Sequence, residues 1–237
     1  MKMKIGLIGD SLTEGRPGVS FVNIVKRKYP NIKFLNFGKP GETVKSLHTR
    51  LSKTKLESNF VLIFLWIGTN DVYSKLLKVQ AQPIVEDHRE FNDYFSKMLN
   101  MVIPFSKYVV VVSPAIVGEN LNNQPNCELR DLSSVIENIS KQYSNVSFLD
   151  IQSVFEERLA NVHSSDYIST SVMTVMKDVL FYRNPVRIDR LSRKRGLHLT
   201  LDGIHLNSEG ALCVAEKYAL MIDQLLFAKS STIQSQK

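Results

Sequence analysis

Hydrophobic positions gather in five short segments along the chain, and stretches with helical spacing lie between and after them. The apolar segments are rich in Val, Ile, Leu and Phe without clean alternation, a pattern typical of strands covered on both faces. They span residues 4–9, 32–38, 60–68, 107–114 and 146–151. The stretches with helical spacing span 18–29, 43–56, 84–102 and 127–143, and a last one, capped by Asn207 or Ser208, runs from Ser208 to about Phe227. This alternation predicts one three-layer α/β/α domain around a parallel sheet of about five strands.

The region from 155 to 200 fits this alternation least well. A cap at Ser164 or Ser165 would begin a helix with one apolar face, formed by Ile168, Val172, Val175, Met176 and Val179. We favour a helix docked on the core. The alternative is a helical cover or insertion that offers three apolar side chains to a ligand: Met173, Met176 and Phe181.

The composition is that of a globular protein that needs no crosslinks. Of 237 residues, 43% are hydrophobic and 22% are charged, and a chain this long buries enough surface to form a core unaided. We therefore predict a single domain over residues 1–228 and a polar C-terminal tail at 229–237. Cys127 and Cys213 lie far apart and match no metal-ligand spacing, so they are interpreted as reduced thiols.

No targeting or membrane-spanning segment is recognised in the sequence. The apolar start is too short for a signal peptide, and the longest apolar run, at residues 60–68, is far below the ~20 residues that a membrane span needs. Together with the cysteine content, this predicts a cytoplasmic protein.

Much of the net charge of +7 comes from one short segment of the chain. Residues 183–195 contain a single acid, Asp189, against six cations: Arg183, Arg187, Arg190, Arg193, Lys194 and Arg195. A solvated surface segment is the simpler interpretation. The alternative is contact with an anionic lipid or an anionic substrate through this segment. The expected partner is otherwise a small molecule, and no nucleic acid is expected.

Polar clusters stand where the predicted strands end. Each cluster alone is ordinary turn chemistry, and Ser11 alone is most simply a polar cap. Because the carboxyl ends of parallel strands meet at one edge of a sheet, the clusters are expected to converge there. The clusters are Gly9, Asp10 and Ser11 after the first strand, Asn36 and Gly38 after the second with Gly41 close behind, Gly68 to Asp71 after the third, and Asp202 with His205 before the last helix.

Together these residue types supply what acyl transfer by a serine requires. A serine hydroxyl is a weak nucleophile until an imidazole takes its proton, and a carboxylate must hold that imidazole in one tautomer. Asp202 stands three residues before His205 and can do so. The tetrahedral oxyanion needs donors already in place, such as a glycine N–H and the side-chain amide of Asn70.

Four short motifs, in order along nearly the whole chain, resemble the conserved blocks of the GDSL or SGNH hydrolase family. They are "GDSL" at 9–12, "NFG" at 36–38, "GTND" at 68–71 and "DGIH" at 202–205. The α/β-hydrolase motif G-x-S-x-G is not matched, because Thr13 stands where its second glycine should be. The resemblance implies a flavodoxin-like fold and cofactor-independent ester hydrolysis through an acyl-enzyme.

The same resemblance assigns roles residue by residue. Ser11 would be the nucleophile and a backbone oxyanion donor, with the Gly38 N–H and the Asn70 side chain completing the oxyanion hole. His205 would be the general base and Asp202 its orienting acid. Asp10 and Tyr73 are further candidates for substrate contact, although a structural role in the turn is favoured for Asp10.

Other functions use the same residues. Acyl or acetyl transfer to a carbohydrate hydroxyl would differ only in what resolves the acyl-enzyme. A metal-dependent phosphoesterase would use as metal ligands Asp10, Asn70, Asp71, Asp202 and His205. This set lacks the further histidines that a two-metal site would use. A non-catalytic binding module is disfavoured because the nucleophile, base and acid are all present. No metal is expected, and a structural role is favoured for His198.

Overall fold

The central sheet of the protein has five parallel strands. The computed structural model describes residues 2–54, 56–57, 59–77, 82–181 and 184–227. The strands are β1 (Lys4–Gly9), β2 (Lys33–Gly38), β3 (Phe60–Trp66), β4 (Ser106–Val112) and β5 (Val146–Leu149). They pair in the order β2-β1-β3-β4-β5, and every pairing is parallel. This is the flavodoxin-like order, and it confirms the predicted fold class.

Ten α-helices connect and cover the strands in the described ranges. They are α1 (Ser11–Glu14), α2 (Phe21–Lys28), α3 (Val44–Lys53), α4 (Thr69–Tyr73), α5 (His88–Val102), α6 (Gln124–Ser140), α7 (Ile151–Leu159), α8 (Val172–Phe181), α9 (Pro185–Lys194) and α10 (Ser208–Ile222). A π-helical turn over Asp223–Phe227 continues α10. The predicted cap of the last helix is confirmed, since Asn207 Oδ1 accepts the N–H of Gly210.

Two apolar cores lie on opposite faces of the sheet. Successive strand residues point to opposite faces, so Leu62 and Phe64 enter one core while Ile63 and Leu65 enter the other. Helices α2, α7 and α10 pack on the first face, and α3, α5 and α6 pack on the second. These contacts make the three layers that the sequence predicts.

The boundaries of two predicted helices shift because of their caps. The helix predicted over 127–143 begins at Gln124, where Asn123 Oδ1 accepts the N–H of Asn126. The helix predicted over 84–102 begins at His88, where the side chain of Asp87 accepts the N–H of Glu90. Both caps are residue types favoured at a helix start.

The helix predicted to begin at Ser164 or Ser165 begins later, at Val172. Residues 163–171 have no regular secondary structure, so Ile168 lies outside the helix. Tertiary hydrogen bonds explain the difference: Ser165 N–H donates to the Gly196 carbonyl, and Ser169 N–H donates to that of Asp202. Met173 and Phe181 are exposed to solvent.

Several predictions fall outside the described residues. They concern the side chains of Val172, Val175, Met176 and Val179, the residue Arg183 and the tail at 229–237. None of the helices in the described ranges is both long enough and apolar enough to cross a bilayer.

Candidate active site

Strand β1 ends at the carboxyl edge of the sheet and leads directly into the short helix α1. Asp10 is the N-cap of this helix, and its Oδ1 accepts the N–H of Leu12 at 2.9 Å. Ser11 is the first helical residue and is buried. The turn therefore fixes the Ser11 backbone at the sheet edge with its N–H at the start of the helix.

A tight loop before α10 presents the other two predicted catalytic residues. Thr200 and Leu206 form an antiparallel bridge, and inside it Leu201 N–H donates to the His205 carbonyl at 2.6 Å. Gly203 has a φ of +92°, a conformation that side chains other than glycine rarely adopt. The loop is thus narrow enough to hold Asp202 and His205 side by side.

Ser11, His205 and Asp202 form one continuous chain of hydrogen bonds. The Ser11 hydroxyl lies 3.0 Å from His205 Nε2, and His205 Nδ1 lies 2.7 Å from Asp202 Oδ2. Asp202 Oδ1 accepts the backbone N–H groups of Ile204 and His205. With the Nδ1 proton directed to Asp202, the Nε2 lone pair is left to accept the serine proton.

The electrostatic interactions among these three hydrogen-bonded residues favour the charged pair of His205 and Asp202. Burial alone would lower the pKa of His205, but the charge of Asp202 and the hydrogen bond to it raise that pKa above its ordinary value. Burial alone would raise the pKa of Asp202, yet His205 and the two backbone N–H groups hold it below its usual range. Asp202 is therefore ionised at neutral pH and able to stabilise an imidazolium.

The side-chain amide of Asn70 already donates two hydrogen bonds within the protein. Its Nδ2 donates to Asp10 Oδ2 and to the Glu42 carbonyl, both at 3.0 Å. Asp10 is buried, and this burial raises the pKa of its carboxyl to about 7, against the opposing effects of the Leu12 N–H and the charge of His205. The predicted Asn70 donor thus contacts the residue that precedes Ser11, and it can reach an oxyanion only by giving up one of these bonds.

The structure gives Gly38 a different role from the predicted one. Its N–H donates to Asn36 Oδ1 at 2.9 Å, so it is not available to a substrate in this arrangement. A side chain at Gly38 would clash with the backbone of Glu14. Gly38 therefore permits the close approach of β2 to α1.

Gly41 is the more accessible amide in the same loop. It is exposed, and a Cβ placed on it would meet nothing within 4 Å. Its neighbour Glu42 contacts Asn70 through the backbone carbonyl. Among the described residues, no protein acceptor is found for the Gly41 N–H or for the Ser11 N–H.

The remaining predicted site residues have structural contacts. The Tyr73 side chain is buried, and its hydroxyl donates to the carbonyl of Ser169. Both carboxylate oxygens of Asp71 accept the N–H of Val44, the first residue of α3, at 3.0 and 3.2 Å. Asp71 thus joins the loop after β3 to the start of α3.

Comparison with known proteins identifies the family. The model of the GDSL-like lipase/acylhydrolase family matches residues 5–218. The chain belongs to this family. The family resemblance carried by the four sequence motifs is therefore confirmed, and the protein is a carboxylic ester hydrolase.

Individual relatives of this hydrolase are distant. An acetylxylan esterase from Geobacillus stearothermophilus is 23% identical over 188 residues, which cover 68% of this chain and 84% of that protein. The solved structure of a catalytic mutant of an acetylxylan esterase from the same organism superposes with a TM-score of 0.65 at 18% identity, covering 96% of this chain and 97% of that one. An α/β hydrolase enzyme from the metagenome of Lake Arreo, Spain, has a TM-score of 0.68 at 18% identity, with 94% and 96% covered. These structures share the fold.

A buried carboxylate that the sequence analysis missed holds the segment before the catalytic loop of the hydrolase. Glu119 Oε2 accepts the N–H of His198 at 2.7 Å. Its Oε1 accepts the N–H groups of Leu199 and Thr200 and the Thr200 hydroxyl, each at 2.8 Å. No motif marks Glu119, because its partners lie about 80 positions further along the chain.

A second missed contact fixes the loop between β2 and α3. Arg50 binds the buried carboxylate of Glu42 through two nitrogens, Nε at 2.7 Å and Nη2 at 2.6 Å, and Nη2 also donates to the Phe37 carbonyl. Because the Glu42 carbonyl contacts Asn70, this ion pair sets the position of the loop relative to the candidate oxyanion donor.

A groove of about 970 Å³ adjoins the nucleophile helix. Its lining includes Glu14 and Gly15, which follow Ser11, together with Arg16, Lys26 and Arg27. Over the described part of the chain, no three His, Cys, Asp or Glu side chains come together as metal ligands would.

Proposed function

We propose that this hydrolase cleaves acetyl or other short acyl esters with Ser11 as nucleophile, His205 as general base and Asp202 as its orienting acid. The observation that carries the proposal is the hydrogen-bonded chain from Ser11 Oγ through His205 to Asp202. Family membership supports the reaction class. The acetylxylan esterase relative makes acetylated carbohydrate the first substrate class to test.

In the proposed first step, His205 Nε2 removes the proton of the Ser11 hydroxyl as the oxygen attacks the ester carbonyl. The imidazolium, stabilised by Asp202, then gives this proton to the departing alkoxide. Water, activated by the same nitrogen, hydrolyses the acyl-enzyme and restores Ser11.

The proposed oxyanion hole differs in one member from the sequence prediction. We assign the N–H groups of Ser11 and Gly41 and the side-chain amide of Asn70. Gly41 replaces Gly38 because the Gly38 N–H is bonded to Asn36. Asn70 would exchange one of its two present acceptors for the oxyanion. Loss of one such donor typically costs about 3 kcal/mol of transition-state stabilisation.

The test is hydrolysis of p-nitrophenyl acetate by the wild type and by Ser11→Ala. We expect kcat of the variant to fall by at least about a thousandfold, because a triad without its nucleophile keeps only the residual contribution of binding and the oxyanion hole. A chelator should leave wild-type activity unchanged. Chelator-sensitive activity that survives in Ser11→Ala would refute the serine mechanism.

Hydrolysis and acyl transfer differ in the molecule that takes the acyl group from the acyl-enzyme, which is water in the first reaction and a sugar hydroxyl in the second. Acetate release and sugar acetylation are measured together from an acetyl ester donor with an added oligosaccharide. Release of acetate in proportion to donor consumed supports hydrolysis. Acetylated oligosaccharide as the main product would assign transfer to the same residues instead.

A further inference from the structure

Helices α8 and α9 follow each other in the chain, and the ion pair between Asp178 on α8 and Arg195 at the end of α9 joins them. Both helices carry large exposed apolar side chains. Their exposed fractions are 66% for Met173, 59% for Leu180, 67% for Phe181 and 64% for Val186. Isolated exposed apolar residues are ordinary, but four within fourteen positions of one helical corner form a group. We call these four residues and the exposed basic residues of the same two helices the α8–α9 corner.

Helical spacing places these side chains on common faces. On α8, Met173 and Leu180 are separated by seven positions, or two turns, and Phe181 follows directly. On α9, Ile188 and Ser192 are buried one turn apart. The outer face of α9 is left to solvent. Phe181 ends α8 and Val186 is the second residue of α9, and because they are five positions apart in the chain their Cα atoms lie within about 18 Å of each other.

The same corner is strongly basic. Five of its cations are exposed: Lys177, Arg187, Arg190, Arg193 and Lys194. Its two acids are used elsewhere, since Asp178 pairs with Arg195 and Asp189 Oδ1 accepts the N–H of Ser208. Within the described ranges, none of the five cations lies within ion-pair distance of a carboxylate.

We propose that the α8–α9 corner binds an anionic lipid surface. Apolar side chains flanked by Lys and Arg are the chemistry of interfacial helices, in which the apolar groups enter the acyl boundary and the cations meet acidic headgroups. A second copy of the chain fits less well, because two such basic corners would repel each other. An anionic polysaccharide would leave Phe181, Leu180 and Val186 without a contact.

The corner also lies beside a second basic surface. Pro185, the first residue of α9, lines the groove beside α1. The same groove contains the exposed cations Arg16, Lys26 and Arg27. A lipid surface docked on the corner therefore lies next to the groove and its additional positive charge. This part of the proposal does not depend on which ester the site hydrolyses.

Co-sedimentation of the full chain with vesicles tests the proposal. One vesicle contains phosphatidylcholine alone, and the other contains phosphatidylcholine with phosphatidylglycerol. We expect binding only to the second, and weaker binding as added salt screens the charges. Replacing Arg187, Arg190 and Arg193 by Gln should lower the partition coefficient about a hundredfold, since each basic residue near an anionic surface contributes about a factor of five. Phe181→Ser with Val186→Ser should lower it about tenfold.

Matched controls use residues away from the corner. The control for charge replaces the exposed cations Lys53, Arg89 and Lys107 by Gln, and the control for apolar surface is Leu220→Ser. Both should bind vesicles as the wild type does, and all variants should hydrolyse p-nitrophenyl acetate in solution at the wild-type rate.

Four results would overturn the proposal. They are absence of binding to the anionic vesicles, equal binding to neutral ones, equal loss in the control variants, and a wild-type dimer in sedimentation velocity that the apolar variant dissociates. The last result would assign the corner to a second copy of the chain.

Discussion

Asp10 connects the nucleophile to the candidate oxyanion donor. One carboxylate oxygen accepts the N–H of Leu12, the residue after Ser11, and the other accepts the side-chain amide of Asn70. With a pKa of about 7, this carboxyl changes charge across the neutral range. Its negative charge also raises the pKa of His205. The pH dependence of the activity should therefore reflect Asp10 as well as His205.

Asp10→Asn should move the acidic limb of the activity profile to lower pH. His205 must be neutral to accept the serine proton, and removing the nearby negative charge makes the imidazole easier to deprotonate. The plateau value of kcat/KM should fall by no more than about tenfold, because Asn also caps a helix well. The measurement is kcat/KM for p-nitrophenyl acetate against pH. Asp93→Asn, exposed on α5, is the control, and an acidic limb that coincides with the wild type would contradict this role of Asp10.

The sequence predicts the residues of the site better than their hydrogen-bonding directions. Ser11, Asp202 and His205 could be found because each belongs to a short motif at a strand end or before a helix. The Gly38 amide could not be judged in this way, since its availability depends on where the Asn36 side chain points. Glu119 carries no local signal at all.

At the scale of helices and strands, the sequence pattern correctly predicts those elements whose formation depends on interactions between residues close in the chain. The five strands are continuous apolar runs, and the structure places each of them within three residues of the predicted ends. Residues 163–171 contain a helical pattern but take part in tertiary hydrogen bonds with Gly196 and Asp202. These partners lie more than 30 positions away, so propensity and periodicity cannot reveal them.

Glu119 joins the loop after β4 to the segment that carries the catalytic pair. Glu119→Gln should lower kcat about tenfold or more while KM stays nearly constant. The new NH₂ group would face one of the backbone N–H donors at residues 198–200, and the loop with Asp202 and His205 would lose its anchor. Loss of a charged hydrogen bond should also cost about 1.5–3 kcal/mol of stability. The measurements are steady-state kinetics and urea unfolding.

A matched variant separates positioning from stability alone. Glu156 lies on α7, away from the catalytic loop, and is the partly exposed ion-pair partner of Arg130. Glu156→Gln removes the negative charge from this pair. It should change kcat little. If Glu119→Gln loses stability but keeps kcat, Glu119 is a structural residue without influence on the catalytic pair.

At the scale of the whole molecule, burying carboxyl groups at the site lowers the free energy of unfolding, and the apolar packing of the two cores must compensate for this loss. Asp10 and Asp71 are both buried at the carboxyl edge of the sheet, and burial raises the pKa of Asp71 to about 8. A carboxyl with a raised pKa contributes stability in its protonated form, and this contribution is lost as the pH rises. The fold should thus become less stable between about pH 4 and 8 through these groups.

Asp71→Asn should therefore stabilise the protein increasingly as the pH rises. The folded wild type holds the Asp71 proton up to about pH 8, whereas the unfolded chain loses it near pH 4. The difference in unfolding free energy between variant and wild type should grow by about 4 kcal/mol from pH 5 to pH 8. An unpaired amide N–H adds a cost that does not depend on pH. Urea unfolding at both pH values measures the change, with Asp93→Asn as the exposed control, and a constant difference would show that Asp71 is ionised throughout.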